Sequence, residues 1–317
     1  MILRPARWRC LAAAALAAVT LAGTAAAHPA DDKDPWASLS AGGLERHYLL
    51  HLPEGFRPAD GPLPLVVVLH GAAGDARSTA DMTGFSPLAD EFRFVAVYPE
   101  GTSIGLDPPR QTWNAGFCCG TALRNHVDDL GFLNALLDKL EADYPIDRHR
   151  IYLTGLSNGA MLAYRYAATD PERVAAIAPV AGAIGGTAGA DQPPIAIARP
   201  DRPVPVLIIH GMMDAYVLYR GGVSPNISIP GRFNLSVDDA VRFWRTADGC
   251  ADAFAPHPSA DGRVVVEDFT HCRARAEVRL IALTHGPHEW PLAIAQANGV
   301  EEPTAMVIWS FFHQHRR

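Results

Sequence analysis

No apolar run after residue 27 is long enough to cross a bilayer, so the chain past that point carries no transmembrane helix. A surplus of positive charge is also missing. With 27 basic against 34 acidic residues the formal net charge is −7, which argues against nucleic acid, anionic lipid or a polyanionic substrate as partner. Neither an H-E-x-x-H pattern nor a paired C-x-x-C occurs. His288-Glu289 is only a fragment of the first, and no catalytic metal is expected. The glycine-rich stretch Gly182 to Gly189 lacks G-x-G-x-x-G spacing and runs into proline-rich sequence, so it reads as a loop and no dinucleotide cofactor is implied. Internal repeats and low-complexity linkers are absent, and nothing in the chain calls for an obligate protein partner.

The first residues read as a leader. Arg4, Arg7 and Arg9 precede an apolar stretch, Leu11 to Leu21, and Ala25-Ala26-Ala27 offers a small-residue cleavage site. Residues 1–27 are therefore expected to be a secretory signal peptide, and the protein to be extracellular or periplasmic. Removing that leader takes away three arginines and no acid, moving the formal charge from −7 to −10. Residues 28–43 have little to bury and read as a flexible mature N-terminus, leaving 44–317 as a single domain.

In an oxidising compartment the remaining cysteines can pair. Cys250 with Cys272 and Cys118 with its neighbour Cys119 is the favoured connectivity of three. The first bond would add roughly 3 kcal/mol by loop closure. Whether the adjacent pair is bonded stays open, because neighbouring Cα atoms sit closer than disulfides prefer.

Past residue 43, strand-like and helix-like runs alternate. Strands are expected at Arg46–Leu52, Pro64–His70, Phe92–Tyr98, Arg150–Thr154, Val174–Val180, Val204–His210 and Glu277–Leu283. Several are unbroken Val/Ile/Leu runs, as for strands covered on both faces. Helices are expected at Asp128–Asp143, Ser157–Ala168, Val237–Ala247 and about Glu301–His313, with long loops over 183–203 and 215–235. The alternation predicts an α/β fold with a mostly parallel central sheet and helices on both faces.

The most informative segment is Gly155-Leu156-Ser157-Asn158-Gly159, directly between an apolar strand and a helix. A strand that turns into a helix at a serine strains the backbone and lifts the hydroxyl out of the sheet, and flanking glycines prevent collisions there. A serine nucleophile needs a base, and the base needs an acid to fix its tautomer. Asp214 is the acid candidate, where the strand Val206 to His210 runs out into a turn; Asp128 and Asp129 rather suit the cap of the helix beside them. His288, past the strand Glu277–Leu283, is the base candidate and His285 its competitor. The backbone N–H of Asn158 and that of Ala72, in the loop opened by His70-Gly71, would form the oxyanion hole.

These residues sit in a wider pattern: Leu69-His70-Gly71, Tyr98-Pro99-Glu100-Gly101, Trp113-Asn114-Ala115-Gly116, Cys118-Cys119-Gly120, Val127-Asp128-Asp129-Leu130-Gly131, the serine pentapeptide, and His210-Gly211 ahead of Asp214. From about Arg46 to His313 the chain resembles the secreted polyhydroxybutyrate depolymerase-like esterases, a family that also holds many feruloyl esterases, within the α/β-hydrolase superfamily. That family ends its motifs with His-x-Trp-Pro, which His288-Glu289-Trp290-Pro291 matches and His285 does not. The resemblance implies a serine carboxylic ester hydrolase and makes Trp113, Trp290 and the double-cysteine loop pocket-lining elements. Pro287 replaces a common glycine, and the loop Ala215 to Tyr219 lacks a usual proline, both at the pocket rim. The expected substrates are small or polysaccharide-linked esters, feruloyl esters first and hydroxyalkanoate oligomers second. An acyltransferase would use the same triad, and a serine peptidase would cleave amides instead.

Overall fold

Leu63 to Leu69 is buried along its whole length, the mark of a strand with neighbours above and below as well as beside it. The computed structural model describes residues 34–105, 109–189, 192–226, 231–251, 256–296 and 299–317. The expected signal peptide lies outside the described residues. Ten strands form one sheet: β1 (Trp36–Ala41), β2 (Leu44–His51), β3 (Leu63–Leu69), β4 (Val95–Pro99), β5 (Ile146–Leu156), β6 (Ala176–Val180), β7 (Val206–Gly211), β8 (His257–Pro258), β9 (Val264–Phe269) and β10 (Val278–Leu283). Their spatial order is β1-β2-β4-β3-β5-β6-β7-β10-β9-β8. The six strands from β4 to β10 in that order run parallel, and antiparallel pairs flank them.

The helices are α1 (Ala76–Thr83), α2 (Phe85–Phe92), α3 (Gly120–Arg124), α4 (Asp129–Asp143), α5 (Asn158–Thr169), α6 (Val237–Asp248) and α7 (Thr304–Phe312). Alternation along β3 splits the core. Leu65, Val67 and Leu69 pack with Phe132, Leu136, Leu162 and Trp244 of α4, α5 and α6. Val66 and Val68 pack with Phe85, Leu88, Ile308 and Phe312 of α2 and α7 on the other face. This is the α/β-hydrolase arrangement that the sequence predicted.

Strands β8 and β9 and helix α3 were not expected, β5 begins at Ile146 instead of Arg150, and further boundaries differ. Residues 36–41 of the segment read as a flexible N-terminus are strand β1, paired with β2 through Gly42-Gly43, whose φ values of 58° and 77° suit a tight hairpin. Helices α1 and α2 went unread because each spans only eight residues, and Phe92 ends α2 instead of opening β4. Helix α7 begins at Thr304, since Glu301–Pro303 pairs with Ala293–Ala295. The loops over 183–203 and 215–235 do contain order: Gly185–Gly186, Ile195–Ala196, Gly222–Val223 and Phe233–Asn234 form a small sheet of their own. The sulfurs of Cys250 and Cys272 lie at disulfide distance, and those of the adjacent Cys118 and Cys119 are in contact.

Candidate active site

Ser157 stands between β5 and α5 with φ 55° and ψ −112°, a left-handed conformation that costs a non-glycine residue roughly 1–3 kcal/mol. The crossing of β3 makes the flanking glycines necessary. A Cβ on Gly155 would lie 2.7 Å from the Leu69 carbonyl oxygen, and one on Gly159 would lie 2.5 Å from the same atom. The Ser157 N–H donates to the Val180 carbonyl at 2.9 Å, which ties the turn to β6.

The structure brings the three widely separated side chains together. Ser157 Oγ is 2.9 Å from His288 Nε2, and His288 Nδ1 is 2.7 Å from Asp214 Oδ2. Asp214 ends the turn after β7 and His288 lies in the segment after β10. These two segments are laced together, with Met212 N–H on the Leu283 carbonyl and Met213 N–H on the Gly286 carbonyl. The approach is so close that a Cβ on Gly211 would sit 2.1 Å from the Gly286 oxygen. His285, the competing base, is exposed and bonded to Thr284 Oγ1. Asp128 caps α4 as expected, whereas Asp129 is buried and paired with Arg46 at 2.8 Å.

Asp214 is buried, which alone would raise its pKa. Hydrogen bonds from His210 and His288 outweigh that and hold the carboxyl well below the ordinary carboxylate range. A carboxylate kept ionised beside Nδ1 orients His288 so that Nε2 faces the serine hydroxyl, the arrangement that lets it accept that proton.

The loop after β3 lies against the serine: a Cβ on Gly71 would be 3.7 Å from Ser157 Cβ. Within it the N–H groups of Ala73 and Gly74 are used, by the Gln111 and Gly71 carbonyls. Ala72 is exposed, and among the described residues no acceptor takes its N–H. Asn158 heads α5, where backbone N–H groups have no partner within the helix. His70 holds this loop from behind. Its Nε2 accepts from the Gly101 N–H at 2.8 Å and its Nδ1 contacts the Gly71 carbonyl at 2.7 Å. Burial pulls His70 down to about 4, so the ring is neutral and its proton is on Nδ1.

Both tryptophans expected to line the pocket are core residues. Trp113 is fully buried, donates Nε1–H to the His70 carbonyl at 3.0 Å and packs at a tilt against the His70 ring, 4.7 Å between centres. Trp290 is buried against Phe85 at the floor of a cavity of about 370 Å³ lined by Met82, Leu88 and Leu292, with none of Ser157, Asp214 or His288 in its wall. Large rings at strand ends are pulled into the core by their apolar area. The aromatic beside the triad is Tyr216, about half exposed, its ring 5.3 Å from that of His288. Only its place in the Asp214 turn could have signalled it. Among the described residues no group of acids, histidines or cysteines is arranged to hold a metal ion, and no helix is long and apolar enough to cross a membrane.

A family model described as "Esterase PHB depolymerase" matches residues 46–242. NocK of Nocardia uniformis subsp. tsuyamanensis, which carries the name of an esterase, is 29% identical over 261 residues, 78% of this chain and 72% of its own. Poly(3-hydroxyalkanoate) depolymerase C of Paucimonas lemoignei is 36% identical over 132 residues, 42% of this chain but only 30% of that protein. Feruloyl esterase C of Emericella nidulans is 23% identical over 269 residues, 84% of this chain and 83% of its own. Among solved structures, an acetyl xylan esterase from Aspergillus awamori aligns with a TM-score of 0.58 at 14% identity, over 88% of this chain and 99% of that one, a likeness of fold. The chain belongs to the esterase PHB depolymerase family and is a carboxylic ester hydrolase.

Proposed function

We propose that this is a secreted serine esterase that works through an acyl-enzyme. Ser157 Oγ attacks the ester carbonyl while His288 Nε2 takes its proton, and Asp214 stabilises the imidazolium that results. The N–H groups of Asn158 and Ala72 bind the oxyanion. His288 returns the proton to the leaving alcohol, then activates the water that releases the acid and regenerates Ser157. The unbroken Ser157–His288–Asp214 hydrogen-bond chain, assembled from three strand ends, carries the reading.

Hydroxycinnamoyl esters of plant cell-wall polysaccharide are the leading substrates. Tyr216 supports this, because a half-exposed phenol ring beside His288 offers a stacking face to a phenolic acyl group, the part first expected of the tryptophans. The length shared with a feruloyl esterase agrees with it. Hydroxyalkanoate oligomers are the second reading. Met213, exposed by 62% in the turn that bears Asp214, gives an apolar surface that a polyester chain could touch.

The test is a turnover assay of the mature protein and its Ser157→Ala variant on methyl ferulate, feruloylated arabino-oligosaccharide, 3-hydroxybutyrate oligomers and amorphous polyhydroxybutyrate. Ser157-dependent preference for feruloyl esters supports the first reading, and preference for hydroxybutyrate esters replaces it with the second. Undiminished hydrolysis by Ser157→Ala would refute the mechanism. An added sugar acceptor that captures the acyl group in place of water would make the protein a transferase.

A further inference from the structure

Asp214 is served by two histidines. Its Oδ1 accepts the N–H groups of Tyr216 and Val217, each at 2.8 Å. Its Oδ2 accepts from His288 Nδ1 at 2.7 Å and is 3.2 Å from His210 Nε2. A carboxylate offers about four acceptor positions. All four are filled here, the fourth by a side chain that the proposed mechanism does not use.

The tautomer of His210 follows from its partners. Nε2 also lies 2.8 Å from the Val217 carbonyl oxygen, which can only accept, so Nε2 must carry a proton. Nδ1 is buried and has no partner among the described residues. A proton there would be a buried donor without an acceptor, which costs more than a bare ring nitrogen. His210 is therefore a neutral ring with its one N–H shared between the Val217 carbonyl and the Asp214 carboxylate. It sits on β7 opposite Ala282 of β10, with Tyr219 edge-on at 5.9 Å. Burial pushes the Tyr219 phenol up to about 12, so it stays neutral, and Asp238 and Glu267 lie beyond it. The groups that face Asp214 itself are His210, His288 and the two backbone N–H groups of its own turn.

We propose that His210 is a positioning residue for the esterase site: its Nε2–H pins the Asp214 carboxylate to the Val217 carbonyl and keeps Oδ2 aimed at His288. The inference rests on the esterase reading above. It adds a fourth member behind the triad, in the order His210–Asp214–His288–Ser157, through which no proton needs to pass.

Two measurements test it. His210→Phe keeps a ring and removes the donor, while His210→Gln keeps a donor at similar reach. For His210→Phe, kcat should fall by about ten- to a hundredfold, the loss typical of one hydrogen bond to a charged group, with KM little changed. The acid limb of its pH–rate profile should move up by about one pH unit, because a carboxylate short of one donor protonates more readily and pairs more strongly with protonated His288. His210→Gln should recover most of both. A folded His210→Phe with the wild-type kcat and acid limb overturns the proposal. The second measurement needs no variant: ring-nitrogen NMR of the wild-type protein at pH 7 should show His210 as the Nε2–H tautomer with Nδ1 bare. An Nδ1–H tautomer, or a charged ring at pH 7, overturns the proposal whether or not His210→Phe folds. Ester turnover surviving in Ser157→Ala would strike the esterase reading, and the His210 tautomer would still be measurable, so the two failures are distinct.

Discussion

The side-chain amide of Asn158 hydrogen-bonds both main-chain groups of Trp113: Oδ1 accepts the N–H at 2.7 Å and Nδ2 donates to the carbonyl at 3.1 Å. The residue after the nucleophile thus clamps the loop that carries Trp113, and Trp113 in turn donates to the His70 carbonyl behind the expected oxyanion loop. One buried amide links the two sides of the site.

Removing that clamp should cost both stability and rate. Asn158→Ala leaves the buried N–H of Trp113 without a partner, worth about 1–3 kcal/mol, while the Trp113 carbonyl loses one donor and keeps the Cys119 N–H at 2.9 Å. Thermal melting should fall by several degrees, and kcat should fall with KM changed less, since the oxyanion donors lose their backing. Asn158→Asp should be worse than Asn158→Ala, because a carboxylate oxygen would face the Trp113 carbonyl with no proton between them. Melting curves and steady-state kinetics on one soluble ester check both.

Much of this site could be read in the residues alone. The serine pentapeptide between an apolar strand and a helix, the aspartate ending the 206–211 strand and the histidine of His-x-Trp-Pro occupy the three strand ends where the structure brings them into hydrogen-bond contact. Which way a large side chain points could not be read. Trp290 lies two residues from His288 and Trp113 in a motif of the family, yet both turn into the core, a matter of packing against Phe85 and Phe132 that only tertiary neighbours decide. His210 was in view within its His-Gly pair, but its bond to Asp214 depends on the turn at 212–217 folding back, which spacing does not reveal. The short helices α1 and α2 escaped because eight residues show too little periodicity.

The buried tryptophans make a prediction opposite to that for pocket residues. Trp290→Ala should remove about 3–5 kcal/mol of stability by opening a cavity beside Phe85. The ratio of kcat/KM for methyl ferulate over a hydroxybutyrate ester should stay the same. Tyr216→Ala should do the reverse, altering that ratio with little change in melting temperature, since its ring is about half exposed. Denaturant titration with the two-substrate kinetics distinguishes these patterns.

Gly211 allows the acid and base segments to touch. With only 2.1 Å between a Cβ there and the Gly286 oxygen, Gly211→Ala must push the Asp214 turn away from the His288 segment. Overpacking of this kind costs about 1–3 kcal/mol. The functional loss should exceed what stability explains: kcat should drop at least tenfold at a temperature where the variant remains folded by circular dichroism. Wild-type kcat in folded Gly211→Ala would show that the contact does not set the His288–Asp214 geometry.

The last prediction concerns acid. Burial holds His70 and His315 near a pKa of about 4, while the unfolded chain protonates both near the ordinary value of 6.5. For these two groups the unfolded state binds more protons than the folded state between those values, so their contribution to stability falls as pH drops from about 6.5 towards 4. His51 works in the opposite sense: burial opposes its charge, but bonds to Asp34 and Asp90 raise its pKa, so its contribution is full below 6.5 and is lost as pH rises through the raised value. Asp248, which burial raises to about 7, also opposes the two histidines, so the net slope mixes several groups and a variant comparison isolates His70. His70→Gln should flatten the decline of melting temperature between pH 6.5 and 4, by an amount on the order of 2–3 kcal/mol at the acid end. At pH 8, where both states leave the ring neutral, the same substitution should cost the hydrogen bonds of His70 to Gly71 and Gly101 and its packing on Trp113. A His70→Gln variant whose melting temperature parallels the wild type across the whole range would mean that the folded protein protonates the ring as readily as the unfolded chain does, leaving it charged at the acid end. The Gly101 N–H could not then donate to Nε2, and the oxyanion loop would have to be held by something else.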